Sequence, residues 1–487
     1  MDRVTAQGFP QLLYAQEQYM NDFWRRSDVR VRDIREDRTK RTTVEIQQAI
    51  RFNLFHILQA SARAEDVGVP AKGLTGQAYE GHYFWDTEIY LLPFLIYTSQ
   101  RIAKNLLNFR YNVRAGASAR EGIGPSRSHV PVAHHQRGRS FGILRRRDRA
   151  VPHQRRHHVC AAQVRAGDRR RAVPAELRCR DARGNGAALA GPWLLFGRKR
   201  GGNSASTPSP GPMNRTPSST NFRYAAQTVE SLRATEPDAY DALAHKTALE
   251  PSEENWLRAA ESMYVPYDEK RKITPQDDNF LDREPWDFRN TPQDHYPLLL
   301  FYHPLNVYRK QVIKQADVVL AMFLLGDAFP VEAKKRNFDF YDPLTTGDSS
   351  LSSCVEAIIA AQIGDMEKAI RYGMAALLMD LADVGGNVKD GCHIASMGGT
   401  WMMLTYGFGG LKDDDGRLSF WPRRAPQDNA ILRFPVTYRG QMLEVEIGVG
   451  TVECTLREGE CLVIRHETED VQLSREHPVA VRPVSKR

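Results

Sequence analysis

The chain of 487 residues has no apolar run approaching the roughly 18 residues that a membrane span needs. Its start, Met1-Asp2-Arg3-Val4, lacks the basic stretch and apolar segment of a secretion signal. Both absences argue for a soluble protein and make the cytoplasm the expected location. Cysteine is scarce, and Cys160, Cys179, Cys354, Cys392, Cys454 and Cys461 contain no CxxC pairing. Four of the six lie in apolar or strand-like contexts, as buried free thiols do, which argues against metal or disulfide roles. The most uneven absence is that of negative charge. Residues 114–220 hold 21 Arg and one Lys against five acidic residues, a balance of +17 in a chain whose net charge is +8, so everything outside the block sums to −9. A pI near 9.1 would ordinarily suggest nucleic acid or an anionic membrane as partner. Here one internal block produces the whole excess, and the basic character is local.

At 41% hydrophobic and 26% charged residues the chain can bury two or three sizeable cores. Residues 1–40 are polar and aromatic, with Arg25, Arg26, Arg30, Arg32, Arg35 and Arg38 among them, and read as a linker or leading helix. From Glu45 the set Ile46, Ile50, Leu54, Ile57 and Leu58 has the spacing of a buried helical face. Further amphipathic stretches follow at 316–325, 354–363 and 366–381, separated by Gly/Asp punctuation, as in an α-solenoid or a closed α/α barrel. After Gly409-Gly410 the period changes to short alternating runs, at 418–420, 431–434, 442–447, 451–456 and 461–465. The expected organisation is therefore a lead-in (1–40), a helical domain (41–410) interrupted by the anomalous block, and a small antiparallel β domain (411–487).

Three segments outside the block carry candidate chemistry. The first is Gly73-Leu74-Thr75-Gly76-Gln77-Ala78-Tyr79-Glu80-Gly81-His82-Tyr83-Phe84-Trp85-Asp86-Thr87-Glu88, which offers an apolar face beside carboxylates able to accept bonds from vicinal hydroxyls. A helix start with Trp85 in the core and Asp86 as its cap accounts for the run equally well. The second, Ile313-Lys314-Gln315-Ala316-Asp317-Val318, opens an apolar helix, where a snorkelling lysine is the plainer reading of Lys314. The third joins Thr345-Thr346-Gly347-Asp348-Ser349-Ser350 to Asp390-Gly391-Cys392-His393-Ile394-Ala395-Ser396. Free N–H groups and hydroxyls just before a helix can hold an anion, and a capped helix start is the alternative.

Together these segments resemble glycoside hydrolase family 65, over roughly residues 12–113 and 221–475. The resemblance implies an (α/α)6 barrel followed by a β-sheet cap, preceded by a large β-sandwich that on this reading is expected to be missing here. It implies α-glucosyl disaccharides as substrates, among them trehalose, maltose and kojibiose, and inorganic phosphate as co-substrate, without a cofactor or metal. By the same resemblance Phe84, Trp85, Asp86, Lys314 and Gln315 hold the nonreducing glucose. Thr346, Gly347, Ser349, Ser350 and His393 hold phosphate, although many members carry His where this chain has Gly347.

Inverting attack on an α-glucoside needs a general acid at the leaving oxygen. The resembled enzymes take it from a Gly-Pro-Asp-Glu motif, and this chain has Gly211-Pro212-Met213-Asn214 there. Neither Met213 nor Asn214 can donate that proton, so no catalytic acid is assigned and the chain is expected to be inactive. Codon degeneracy suggests why. Residues 210–215 can be encoded by CCG GGC CCG ATG AAC CGC, which from each third base reads Gly-Pro-Asp-Glu-Pro. Residues 151–158, read from each second base, permit Tyr-His-Ile-Asn-Ala-Asp-Ile, another string typical of the family. The block then looks like an out-of-frame segment, and the barrel is expected to be incomplete or disrupted. The alternatives are a real Arg-rich insertion, a catalytically dead sugar-binding protein, and a nucleic-acid binder acting through the block. The six His of the block show no metal-ligand spacing.

Overall fold

The computed structural model describes residues 2–33, 43–61, 67–121, 212–247, 253–413, 416–423 and 430–485. Helix α1 (Asp2–Ser27), kinked at Gly8, leads through strand β1 (Arg30–Asp33) into α2 (Thr43–Ser61). A π-helical turn over Thr87–Leu91 runs into α3 (Leu92–Thr98), and α4 spans Gln100–Glu121. Beyond the block come α5 (Pro212–Thr235), α6 (Pro237–Thr247) and α7 (Glu253–Glu261). A loop-rich stretch follows, with the short parallel pair β2 (Glu284–Pro285) and β3 (Lys310–Gln311) and the single turns α8 (Leu298–Phe301) and α9 (Pro304–Tyr308). The helical part closes with α10 (Asp317–Leu324), α11 (Val331–Tyr341), α12 (Ser352–Ile363), α13 (Met366–Leu378) and α14 (Ile394–Met402).

Burial ranks these helices. On α2 the inward face is Ala49, Ile50, Asn53, Leu54, Ile57 and Leu58, the face that the spacing expects. In α12 nine of 12 residues are buried, and in α14 all nine are. A helix buried on every side needs neighbours that approach closely, and glycine lets them. A Cβ on Gly398 would stand 2.3 Å from the Tyr90 carbonyl oxygen, and one on Gly399 would stand 2.4 Å from Cys354 Sγ. Trp401, fully buried, packs edge-on to Phe94 and stacks with Tyr97 at 6.0 Å. Pairing of the polar groups in this core is partial: Asn53 donates to the Leu377 carbonyl and to Thr400 Oγ1, whereas Trp401 Nε1 and Ser352 Oγ are buried without a hydrogen-bond partner among the described residues.

The C-terminal part is two sheets. The larger runs β1-β6-β7-β8-β11, with β6 at Ala430–Tyr438, β7 at Gln441–Ile447, β8 at Thr451–Glu458 and β11 at Val479–Pro483. The smaller runs β10-β9-β5-β4, with β4 at Leu411–Lys412, β5 at Ser419–Phe420, β9 at Cys461–His466 and β10 at Glu469–Ser474. All pairs are antiparallel except β5 with β9, which is parallel. Period-2 burial puts Leu443, Val445, Leu462, Ile464 and Leu473 inside. The N-terminal segment is more than a lead-in, because β1 adds an edge to the larger sheet through Arg30 opposite Arg433. The molecule is thus mainly helical with a C-terminal β domain, the fold class that the sequence implies. Completion of an (α/α)6 ring depends on residues 122–211, which lie outside the described residues. Of the cysteines, Cys354, Cys392 and Cys454 are buried free thiols as expected, whereas Cys461 is exposed on strand β9; Cys160 and Cys179 lie outside the described residues.

Two expectations follow. Gly398→Ala sets a methyl against backbone that has little freedom to move, and should cost roughly 1–3 kcal/mol or more in urea unfolding. An unchanged midpoint would mean that α14 is not held this closely. Glu356 of α12 is buried beside Asp342, and burial first, then that neighbouring carboxylate, pushes it up to about 8. A raised acid stabilises the fold below its unfolded pKa and loses that contribution as pH rises from about 4.5 to about 8. Glu356→Gln should therefore melt higher than the parent at pH 8, by more than about 1 kcal/mol, and match it near pH 4. Equal melting at both pH values would contradict a buried neutral Glu356.

Candidate active site

The three sequence segments meet around the start of α14. Segment 73–76 is stitched to segment 390–394: Cys392 N–H donates to Thr75 Oγ1 at 2.7 Å, and Ile394 N–H donates to the Ala71 carbonyl. Gly76 lies against backbone, where a Cβ would come 2.4 Å from the Asp390 carbonyl oxygen. Beneath this seam Lys72 is buried and its Nζ donates to the Gly391 carbonyl at 2.9 Å. Burial lowers the pKa of that ammonium, while Asp380 and Asp390 act the other way.

The anion-loop candidate is held by the strap before α10. Ile313 and Thr345 form a parallel bridge, and Thr346 N–H donates to the Ile313 carbonyl at 2.9 Å. Gln315 Nε2 reaches Ser349 Oγ at 3.2 Å, so the second and third segments touch directly. Lys314 is exposed and precedes the helix rather than lying in it. Ser396 of α14 donates to the Ser350 carbonyl at 2.8 Å, which links the two parts of the third segment. Gly347 adopts φ 75° with open space around it, so the left-handed backbone, not crowding, is what favours glycine over a larger residue. Asp348 is turned from the loop and accepts from Leu298 N–H at 3.3 Å. The capped start keeps part of its force: the residue before α12, Leu351, makes no side-chain cap, but Ser349 Oγ accepts the Leu351 N–H at 3.3 Å.

His393 stands immediately before α14, and Asp380 holds it twice. The carboxylate accepts the His393 backbone N–H at 2.8 Å through one oxygen and faces Nδ1 at 2.7 Å through the other. Sequence reasoning missed Asp380, which follows α13 in a stretch, Met379-Asp380-Leu381, with no motif to mark it. Also missed was the support behind the first segment. Glu88 is buried and accepts from Tyr83 Oη at 2.6 Å and from Arg110 Nε at 2.5 Å, with Arg110 lying over the Tyr83 ring. Burial pushes the Tyr83 phenol well up, and the negative charge of Glu88 acts in the same direction.

The aromatic run divides. Trp85 belongs to the core, as the helix-start reading has it, while Phe84 is half-buried and meets Tyr79 edge-on at 5.4 Å. Asp86 begins the helical turn without a side-chain cap bond to it. Asn214, where a general acid is expected, falls in α5 with its side chain outside the described residues, and Gly211 and residues 151–158 lie outside them too. Among the described residues no group of His, Cys, Asp and Glu could hold a metal, and no helix is long and apolar enough to cross a membrane.

The chain is 36% identical to the alpha,alpha-trehalose phosphorylase of Geobacillus stearothermophilus over 98% of its own length and 63% of the relative's. It is 29% identical to the kojibiose phosphorylase of Halothermothrix orenii over 92% of its length and 59% of that protein's. A solved structure from the human microbiome, assigned as a kojibiose phosphorylase, shares the fold with a TM-score of 0.76 at 24% identity, covering 99% of this chain and 66% of that one. The glycosyl hydrolase family 65 central catalytic domain matches residues 51–162 and 216–402, running past Val113 into the basic block, and the family's C-terminal domain matches 411–473. The chain belongs to glycosyl hydrolase family 65.

Proposed function

We propose that this chain carries the sugar- and phosphate-holding side of an inverting phosphorylase of α-glucosyl disaccharides, without the general acid that completes it. The observation that supports the reading is the meeting of the three segments: Gln315 with Ser349, Ser396 of the helix that follows His393 with Ser350, and Cys392 with Thr75. In this reading Phe84, Asp86, Lys314 and Gln315 hold the nonreducing glucose, with Trp85 shaping the wall from the core. Thr346, Gly347, Ser349, Ser350 and His393 hold phosphate. Phosphate attacks the anomeric carbon from the face opposite the leaving oxygen, the glycosidic bond breaks, and inversion gives β-glucose 1-phosphate and a free sugar. The leaving oxygen must gain a proton in that step, and Asn214 cannot supply it. The protein would work in the cytoplasm, which the free thiols of Cys354, Cys392 and Cys454 suit.

Two measurements test this reading. Phosphate should raise the melting temperature above that in chloride at matched ionic strength, by a mass-action stabilisation of roughly 1–3 kcal/mol at tens to hundreds of times its dissociation constant. His393→Ala should shrink that shift, and equal shifts from both anions would remove the phosphate site. Absence of the acid typically costs 10²–10⁴ in rate, so the chain should not measurably cleave trehalose, maltose or kojibiose with or without phosphate. Asn214→Glu alone should not restore turnover, whereas restoring both shifted frames should. Robust turnover by the unaltered chain would mean that another acid serves, and the frame-slip account would fall with it.

A further inference from the structure

We infer that Tyr83, Glu88 and Arg110 form a buried clamp that sets the direction in which Phe84 and Asp86 meet the sugar, so that Tyr83 and Arg110 are positioning residues of the site. The role rests on Phe84 and Asp86 holding glucose, as proposed above. The clamp closes from both ends of the run it supports. Tyr83 Oη donates to Glu88 Oε1 at 2.6 Å, so residues 84–87 span two side chains that are joined to each other. Arg110 of α4 anchors that ring from outside, donating through Nε to Glu88 Oε1 at 2.5 Å and through Nη2 to Glu88 Oε2 at 3.2 Å. Its guanidinium carbon also lies 4.0 Å from the centroid of the Tyr83 ring.

Burial separates the two sides of the run. Tyr83 and Arg110 are each 1% exposed and Glu88 is 5% exposed, and Trp85 and Thr87 are buried with them. Phe84 and Asp86, the two residues proposed to touch glucose, are only half-buried. Tyr83 has little freedom to turn, because it packs on bare backbone: a Cβ on Gly68 would stand 2.0 Å from Tyr83 Cδ2 and 2.6 Å from the Phe109 ring.

Stability alone does not explain such a group. Desolvating two charges offsets most of their attraction, and well-packed apolar residues of similar volume often serve the fold as well. Here the cost is larger still, since Arg110 Nη1 is buried without a hydrogen-bond partner among the described residues. What apolar residues cannot supply is direction. A planar guanidinium that meets both oxygens of one carboxylate fixes that carboxylate in angle as well as distance. Glu88 lies in the π-turn 87–91, an uncommon backbone geometry that needs such holding, and Asp86 stands immediately before that turn. The same bonds exclude Glu88 as a substitute acid, because both its oxygens face donors and neither is left to hold a proton toward a leaving oxygen.

The test uses the full chain and Tyr83→Phe, which removes one hydroxyl and leaves the Arg110–Glu88 pair intact. Calorimetric titrations with glucose and with inorganic phosphate are run where circular dichroism shows parent and variant equally folded. Glucose affinity should fall roughly three- to tenfold, while phosphate affinity stays unchanged. In an Asp86→Asn background the same substitution should weaken glucose binding clearly less, because the clamp acts through that side chain. Equal glucose affinity in parent and Tyr83→Phe overturns the clamp and leaves the sugar-holding reading standing. Glucose and phosphate affinities that fall in the same proportion make the three residues ordinary core and overturn it as well. If the parent binds glucose but not phosphate, the Asp86→Asn comparison decides, and full additivity overturns the clamp. If Tyr83→Phe does not fold, Arg110→Lys, which keeps the charge and loses the two-pronged contact, should weaken glucose in the same selective way, and unchanged binding overturns the clamp. A parent that binds no glucose removes the sugar-holding reading, and the clamp's role falls with it.

Discussion

Helix α14 has no solvent face, and the arrangement of the site depends on that constraint. All nine of its residues are buried, among them Ile394, Trp401 and Met402. Packing at that density needs a helix whose neighbours come almost to backbone contact, and Gly398 and Gly399 provide it against Tyr90 and Cys354. The same helix therefore fixes the π-turn 87–91 on one side and α12 on another. The first turn of α14 begins at His393, and the loop entering α12 is the anion-loop candidate. Core packing and placement of the polar groups are one event in this fold.

The seam at Gly76 and Gly391 shows how this reaches the surface. Gly391 has φ 102°, and its own missing Cβ would stand 2.8 Å from Gly76 Cα. Two backbones this close leave no room for side chains, so the contact is fixed by Thr75 and Lys72, each bonding backbone of the opposite segment. Lys72 is the costly member. Its ammonium is buried and donates to a carbonyl, and the carboxylates of Asp380 and Asp390 nearby offset part of the desolvation. A carbonyl and two nearby carboxylates keep a cation tolerable there, and all three come from the stretch 380–391 that the lysine holds.

Much of this was legible in the sequence, and what was not has physical causes. Ile50, Leu54 and Ile57 announce α2 because a single buried face repeats every 3.6 residues, and Leu443 with Val445 announces β7 because a strand repeats every two. Strand β1 was not legible: Arg30-Val31-Arg32-Asp33 has no apolar alternation, and β6 supplies its strand character by pairing. The π-turns at 87–91 and 403–408 were hidden for a related reason, since local hydrophobicity does not distinguish them from ordinary helix. Asp380 was hidden because its significance is a contact 13 residues away in sequence. Trp85 was open to two readings, and neighbours distant in sequence decide for the core.

On the proposed reading, an anion site poor in cations must keep its own carboxylates from facing the ligand, and the carboxylates around the candidate loop are all engaged elsewhere. Gly347, Ser349 and Ser350 contribute no charge, Lys314 is exposed, and three acidic residues lie close in sequence or space. Asp348 is engaged by the N–H of Leu298. Asp342, which precedes the loop, is engaged by Tyr372 Oη at 2.5 Å and by Lys368 at 3.1 Å. Asp380 is engaged by His393 itself. Each carboxylate has a donor of its own, so its field at the loop is reduced where a lone carboxylate within several ångströms would repel a dianion. Asp380 differs from the other two in one respect: on the proposed reading, its partner is itself a member of the anion site. The electrostatics of the loop are therefore set less by cations drawn to it than by where three carboxylates are made to turn.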